Sequence, residues 1–175
     1  MTVKIDGIAG LTFADSSTQN VTALNASNIT AGTLGKARMA SGSVLQVVSQ
    51  QNAQTITTTS SSFTMLTQSF TPTSASSKVL ALMSFNTERN GGGTGNYLFI
   101  DLKRDGTTIV TPYAWGNAPG YQIASGARST ASHTYLDSPA TTSAISYTIV
   151  GDFNVSGNVP WLFYTLQLTL LEIAA

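Results

Sequence analysis

The sequence predicts an all-β protein, with a C-terminal β-sandwich of the jelly-roll type preceded by an extended N-terminal segment. Three observations lead to this prediction. About eight short apolar or alternating runs are separated by turn signals, which is typical of sandwiches and barrels. No stretch shows the apolar periodicity of an amphipathic helix. Charged residues make up only 9% of the 175 residues, and the abundant Ser and Thr suit strands. An immunoglobulin-like sandwich is the alternative arrangement.

The first 42 residues differ in composition from the rest of the chain. They contain one aromatic residue, Phe13, and are otherwise mostly small and polar. Such a segment buries too little apolar surface to offset the entropy lost on ordering. We therefore expect residues 1–42 to be extended and to be ordered by copies of the same chain or by a neighbouring protein. Residues 43–175 are expected to form the β-sandwich head.

The first strands of the head are predicted from apolar runs and their boundaries. Residues 44–48 form one strand, and residues 63–71 form another that ends at Pro72. The Ser/Thr-rich residues 55–62 are a candidate edge strand. Residues 78–86 are apolar on both faces, which is expected of a central strand covered on each side.

A β-hairpin is predicted around an Asp-Gly pair. In residues 97–103, Leu98, Ile100 and Leu102 face one way, and the residues that alternate with them face the other. Asp105 and Gly106 follow, and a type I′ turn requires positive φ at both of its central positions. Residues 107–113 then form the return strand.

The remaining strands are predicted from alternation towards the C-terminal end of the sequence. Residues 132–137 form a short strand, and Ile145, Tyr147 and Ile149 point to one face of the next. In the final strand, residues 160–173, the side chains assigned to one face are Leu162, Tyr164, Leu166, Leu168 and Leu170.

Charge and cysteine content exclude several classes of function. The formal net charge is +0, with 8 Lys and Arg against 8 Asp and Glu, so the basic excess of a nucleic-acid-binding protein is missing. A near-neutral protein also associates readily with itself. The absence of cysteine excludes disulfides and thiolate metal sites. No run of about 18 apolar residues is present, so no membrane insertion is expected.

No residue set in the sequence indicates catalysis, a cofactor or a metal. His133 is the single histidine and stands alone in a strand pattern. Asp101 and Asp105 lie on a strand and in a turn, which need not bring them together. A glycan-degrading enzyme would need a convergent carboxylate pair, and none is recognisable. We therefore expect a protein that is not an enzyme.

One aromatic patch stands out as a candidate binding site. It comprises Tyr113, Trp115, Asn117, Tyr121 and Arg128. Aromatic rings beside Asn and Gly can stack on sugars, and the same residue types are enriched in subunit interfaces. Three interpretations stay open: contact with a host-surface glycan or receptor, an oligomer interface, or packing of a long loop onto the core.

Two stretches near the N-terminus resemble a known class of proteins. Gly10-Leu11-Thr12-Phe13-Ala14-Asp15-Ser16-Ser17-Thr18-Gln19 resembles a short motif that recurs in bacteriophage tail-fibre and virion appendage proteins. The usual form of that motif has Gly after the Asp, where this chain has Ser16. Residues 24–34 (LNASNITAGTL) and 36–47 resemble the repeat that precedes the head domains of such fibres.

The resemblance implies a homotrimeric virion protein, in which residues 1–42 of three copies intertwine around a shared apolar core. We expect this segment to anchor the protein to other virion structural proteins. The apolar residues assigned to attachment are Ile5, Ile8, Leu11, Phe13, Leu24, Ile29 and Leu34, with Val21 also in the shared core. The head would face outwards and adhere to the host surface. The alternatives are a capsid cement or decoration protein that stabilises the phage capsid, and a carbohydrate-binding module.

Overall fold

The computed structural model describes most of the head and a few parts of the preceding segment. The described residues are 4–6, 10–12, 18–19, 35, 39–52, 56–58, 62–89, 97–115, 126, 128–154 and 161–175. The chain divides into two compact units, Met1–Arg38 and Met39–Ala175. In the first unit, strands β1 (Lys4–Asp6), β2 (Gly10–Thr12) and β3 (Thr18–Gln19) pair antiparallel in that order.

The second unit consists of β-strands and connections in all of its described residues. Its strands are β4 (Val44–Asn52), β5 (Ile56–Thr58), β6 (Ser62–Phe70), β7 (Lys78–Arg89), β8 (Tyr97–Arg104), β9 (Thr107–Trp115), β10 (Arg128–Asp137), β11 (Ile145–Asn154) and β12 (Trp161–Ile173). The described residues include no helix that could cross a membrane.

The strands of the second unit form two antiparallel sheets with jelly-roll connections. Sheet I has the order β10-β7-β12-β4, with the short β5 also pairing with β12, and sheet II has the order β6-β11-β8-β9. If β5 is set aside, the first strand pairs with the last, the second with the second-last, and so on inwards to the β8–β9 hairpin. This nested pairing defines a jelly roll. It confirms the predicted fold and excludes the immunoglobulin-like alternative.

The core lies between the two sheets and is formed by alternate residues of their strands. Ile145, Tyr147 and Ile149 are all buried, which confirms the alternation predicted for β11. The rings of Phe70 and Tyr147 pack edge-to-face, with their centroids 6.4 Å apart. The larger fully buried side chains come from both sheets: Tyr147, Phe70, Phe85, Phe163, Met83, Ile100, Leu102, Ile149, Leu166, Leu168 and Leu170.

The β8–β9 hairpin has the predicted Asp-Gly turn. Arg104 pairs with Thr107 across it, and the two residues between them have φ values of 48° at Asp105 and 82° at Gly106. Both central positions therefore have the positive φ that a type I′ turn requires.

The alternation predicted for the last strand is wrong at its beginning. The register of β12 against β7 shifts between Phe163 and Thr165, which makes Tyr164 an additional residue in a β-bulge. A bulge reverses the face to which the preceding residues point. Phe163 is therefore buried in the core, whereas Leu162 and Tyr164 are only partly buried.

The prediction that β7 is covered on both faces is also wrong. β7 lies inside sheet I, and Val79, Ala81, Met83 and Phe85 point into the core. On the opposite side Leu82 remains 37% exposed. Sheet I therefore has an outer face, and the apolar residues of β7 contribute to it.

Candidate interaction face

The outer face of sheet I carries three adjoining features that depend on the alignment of its strands. Residues directly opposite each other on neighbouring antiparallel strands point to the same side of the sheet. An apolar patch lies at one end of this face, a shallow depression lies beside it, and a cluster of charged and aromatic side chains lies towards the other end.

The apolar patch is built on a row of four aligned side chains, one from each strand. Leu136 pairs with Leu80, Leu80 with Leu171, and Leu171 with Val47. These four residues are called the apolar row. Val47 is 57% exposed and Leu136 is 51% exposed, so both ends of the row are open to solvent.

Further apolar side chains border this row. Val44 pairs with Ile173 on one side of it, and Val44 is 47% exposed. On the other side Leu82 lies between Thr134 and Thr169. The apolar patch is defined as the apolar row together with Val44, Leu82 and Ile173. It forms a continuous apolar surface across four strands.

The outer face of sheet II has a different character. The hydroxyls of Thr67 and Thr148 lie 3.2 Å apart on adjacent strands. On the neighbouring strands the Asp101 carboxylate accepts hydrogen bonds from the hydroxyls of Thr108 and Thr111, at 3.1 and 2.7 Å. Hydroxyl and carboxylate contacts therefore mark this part of the outer face of sheet II, whereas the apolar patch marks one end of the outer face of sheet I.

A shallow depression of about 320 Å³ lies on the outer face of sheet I. It is lined by Leu82, Met83, Ser84, Ser132, His133, Thr134, Gln167 and Thr169. Apart from His133 its lining contains no ionisable group. Among the residues that the structure describes, no cluster of three or more His, Cys, Asp or Glu could hold a metal ion.

The charged cluster joins Arg128, Glu88 and Tyr164. Arg128 Nε donates to Glu88 Oε2 at 3.0 Å, and the Tyr164 hydroxyl donates to the same oxygen at 2.6 Å. The Arg128 guanidinium lies 4.4 Å from the centroid of the Tyr164 ring, within the range of a cation–π interaction. The bulge in β12 gives Tyr164 its position beside β7.

Electrostatics favours the ionised form of Glu88 in this cluster. The hydrogen bond from Tyr164, together with the weaker effect of Arg128, lowers the pKa of Glu88 below its ordinary value. The hydrogen bond to Glu88 in turn raises the pKa of Tyr164. The Arg128 side chain is 65% exposed, and a guanidinium has five N–H donors. Arg128 can therefore donate to an external acceptor while it stays paired with Glu88.

The structure describes only part of the predicted aromatic patch. Arg128 begins β10 on sheet I. Tyr113 and Trp115 lie on β9 of sheet II, where they pair in register with Ile100 and Leu98. The side chains of Tyr113 and Trp115, and the whole of Asn117 and Tyr121, lie outside the described residues. Arg128 instead contacts Glu88 and Tyr164, which sequence analysis did not select.

The structure describes two of the residues that were predicted to attach the protein to the virion. Ile5 on β1 pairs in register with Leu11 on β2, and nothing further is described of their side chains. The other residues assigned to attachment lie outside the described part of the chain: Ile8, Phe13, Leu24, Ile29 and Leu34.

Two buried carboxylates lie in the strand positions next to the apolar row, at the end of the sandwich away from the Arg128 cluster. Asp137 and Glu172 lie on either side of Val79 in register on sheet I. Asp137 accepts two hydrogen bonds from Arg104 Nη1, at 2.8 and 2.7 Å, and one from the Tyr147 hydroxyl at 2.6 Å. Because Arg104 and Tyr147 belong to sheet II, Asp137 links the two sheets. Burial, and then the bond to Asp137, raises the pKa of Tyr147.

Glu172 fixes the connection between β6 and β7. Its Oε1 accepts hydrogen bonds from the Thr73 backbone N–H at 2.7 Å, from the Thr73 hydroxyl at 2.8 Å and from the Ser74 N–H at 3.3 Å. Its Oε2 accepts one from Gln46 Nε2 at 2.6 Å. Burial raises the pKa of Glu172, but the bonds from Thr73 and Gln46 help to bring it below its ordinary value.

Comparison with known proteins finds distant structural similarity. No family model matches the chain, and no curated protein matches it. A structure of the infectious bursal disease virus VP2 subviral particle matches with a TM-score of 0.46 and 11% identity, over 74% of this chain and 32% of that one. A structure of the Gt strain of the same virus matches with a TM-score of 0.45 and 10% identity, over 76% of this chain and 39% of that one.

A bacterial structure matches at a similar level. Dimeric latent PorU from Porphyromonas gingivalis gives a TM-score of 0.42 and 10% identity, over 78% of this chain and 14% of that one. The chain thus spans well under half of each of these three proteins. At TM-scores below 0.5 these similarities do not bear on its function.

Proposed function

We propose that this chain is a non-enzymatic structural protein of a bacteriophage virion, a homotrimeric fibre or appendage subunit. Residues 1–42 attach it to other virion proteins, and the jelly-roll head faces outwards. The resemblance of residues 10–19 and 24–47 to virion appendage proteins supports the location. The low charge and the apolar patch on the outer face of sheet I support the self-association.

The observation that best supports the structural role is that carboxylates connect separate strands and turns of the head by hydrogen bonds. Glu172 holds the β6–β7 connection, and Asp137 links the two sheets. Asp105 Oδ1 accepts from the backbone N–H of Ser146 at 2.8 Å, which holds the β8–β9 turn to β11. Asp101 joins β8 to β9. Four of the 8 Asp and Glu residues thus help to maintain the shape of the head, as expected of a rigid particle component.

Host-surface adhesion is the second part of the proposal, and the cluster of Arg128, Glu88 and Tyr164 supports it. An exposed guanidinium beside a partly buried carboxylate offers both donors and acceptors to the hydroxyls of a glycan. A trimer would present three such clusters on one rigid body. Weak sites linked in this way gain on the order of 10²–10⁴ in avidity.

Deleting residues 1–42 from the phage gene tests the attachment. We expect particles that lack the protein, while the head accumulates in the lysate. Normal incorporation of the truncated protein would contradict attachment through this segment. The location of the intact protein in particle micrographs separates a tail appendage from a capsid cement protein.

Replacing Arg128 with Ala tests adhesion separately. The side chain is mostly exposed, so the variant should fold and enter particles normally, but adsorb to host cells more slowly. Thr67→Ala, on the outer face of sheet II, is the control and should adsorb like the wild type. Equal adsorption by all three proteins would argue against a role for the cluster. Glycan binding by a protein that is missing from particles would favour a free carbohydrate-binding module.

A further inference from the structure

We propose that the apolar patch is the surface through which three heads pack around a three-fold axis. This inference rests on the proposed homotrimer and assigns its contact in the head to residues that the sequence did not single out. The occupant of the patch is a second copy of this chain.

The exposed apolar area of the patch is large enough to contribute to a subunit contact. Four of its side chains, Val44, Val47, Leu82 and Leu136, are between 37% and 57% exposed. With Leu80, Leu171 and Ile173 the patch presents roughly 400 Å² of apolar surface, at the level of the largest apolar patches on monomeric proteins. This is about half of the roughly 800 Å² that each partner contributes to a stable interface.

The flanking side chains supply the polar part of such an interface. The next row on the same face consists of Thr134, Leu82, Thr169 and Ser49. The hydroxyls of Ser49 and Thr169 bond to each other at 2.8 Å, so two of these polar groups are paired before any partner arrives. A row of this kind can be buried at a contact with little cost in unpaired polar groups.

The charge distribution favours a copy of the same chain as the partner. The apolar patch contains no charged side chain. Lys78, which pairs in register with Ile173, points its Nζ to the Ser138 hydroxyl at 2.9 Å. With a formal net charge of +0, two copies do not repel each other as they approach. A strongly charged partner would find no complement on this surface.

The width of the sheet fits three-fold packing. Four strands spaced about 4.8 Å apart form a face about 14 Å wide. If three such faces meet as a triangular prism over the length of the apolar patch and diverge towards the Arg128 cluster, as the twist of a sheet allows, the axis lies about 4 Å from each face at the patch. This is close to half of the roughly 10 Å that separates two packed sheets. The apolar side chains can therefore meet at the axis, and the three rows close into one apolar layer.

Val47→Lys in the full chain tests this contact. Val47 lies on the edge strand β4 and is more than half exposed, so a lysine there leaves the head folded. Thr67→Lys is the matched control, because Thr67 is an exposed, outward-facing residue on the edge strand β6 of sheet II. The solution mass is measured by light scattering over a series of protein concentrations, and thermal unfolding confirms that each variant folds.

We expect a three-chain mass for the wild type and for Thr67→Lys. For Val47→Lys the concentration at which the trimer assembles should rise at least about tenfold. A Val47→Lys protein that assembles like the wild type would overturn the assignment of the contact but leave the homotrimer in place. A wild type that is monomeric at all concentrations, or that forms a stable dimer, would overturn both the contact and the proposed homotrimer.

A thiol probe provides a second test that does not depend on disrupting the contact. The chain contains no cysteine, so Leu136→Cys introduces a single thiol in the apolar row. In the assembled protein this thiol should react with a maleimide more slowly than the thiol of Thr67→Cys. Addition of Val47→Lys should remove the difference. Equal rates in the assembled protein would overturn the proposal.

Discussion

Replacing Glu172 with Gln removes the charge of a fully buried carboxylate while keeping the shape of the side chain. Its two oxygens accept four hydrogen bonds, three at Oε1 and one at Oε2. An amide has one oxygen and one NH₂ group, so in either orientation an NH₂ faces a donor. Gln46 cannot easily turn its amide to relieve this conflict, because its Nε2 also donates to the Thr71 carbonyl at 2.7 Å.

The expected loss follows from these contacts. Removing the partner of a charge-assisted hydrogen bond and leaving a buried group unpaired costs about 2–3 kcal/mol. For a protein of this size such a loss lowers Tm by roughly 4–12 °C. The measurement is urea unfolding at pH 7, followed by tryptophan fluorescence at a fixed protein concentration, because assembly makes apparent stability depend on concentration.

The pH dependence provides an internal check. The pKa of Glu172 in the folded protein lies below its ordinary value of 4.5. The stability that the ionised Glu172 carboxylate contributes is therefore fully present above that pH and is lost as the pH falls through the pKa of the folded protein. The difference in the free energy of unfolding between wild type and Glu172→Gln should narrow at pH 3. Glu88→Gln, on the outer face, is the control and should lower the free energy of unfolding by less than Glu172→Gln does. A Glu172→Gln protein within about 0.5 kcal/mol of wild type at pH 7 would refute this reasoning.

Three further substitutions test the packing of the head by thermal or urea unfolding. Gly151→Ala would place a Cβ 2.6 Å from the Phe63 ring and should destabilise by about 1–3 kcal/mol; an unchanged stability would mean that the ring moves aside freely. Tyr147→Phe removes the hydroxyl that donates to Asp137 and should cost about 1–3 kcal/mol, so a neutral effect would show that Arg104 alone satisfies this carboxylate. Gly106→Ala adds a side chain at a φ of 82° and should cost about 1–2 kcal/mol; no loss would show that the hairpin relaxes to another turn.

Features of the fold that depend only on residues close together in sequence could be predicted from the sequence. The Asp105-Gly106 turn was predictable because positive φ at two adjacent positions has few solutions in residue type. The inward positions of Ile145, Tyr147 and Ile149 were predictable because alternation in a strand is strict. The sandwich or barrel class followed from the number and spacing of the strands, whereas the jelly-roll arrangement was a preference that only the strand pairing confirmed.

Features that depend on strand pairing could not be predicted. The bulge at Tyr164 has no glycine or other local signal, and it decides that Phe163 enters the core while Tyr164 reaches Glu88. The apolar row has the same origin. Leu80, Leu171 and Val47 each look like core residues in sequence, because an apolar residue in a strand does not show which face is covered. Only the register of four strands reveals that they align with Leu136 on an outer face.

The most direct test of the proposed function is the composition of purified phage particles. Quantitative mass spectrometry of particles from cells that carry the gene measures the number of copies of this chain per particle. A structural homotrimeric subunit predicts that the chain is a constant component, present in a copy number that is a multiple of three. Particles that lack the chain while it accumulates in the soluble fraction of the lysate would contradict the proposal.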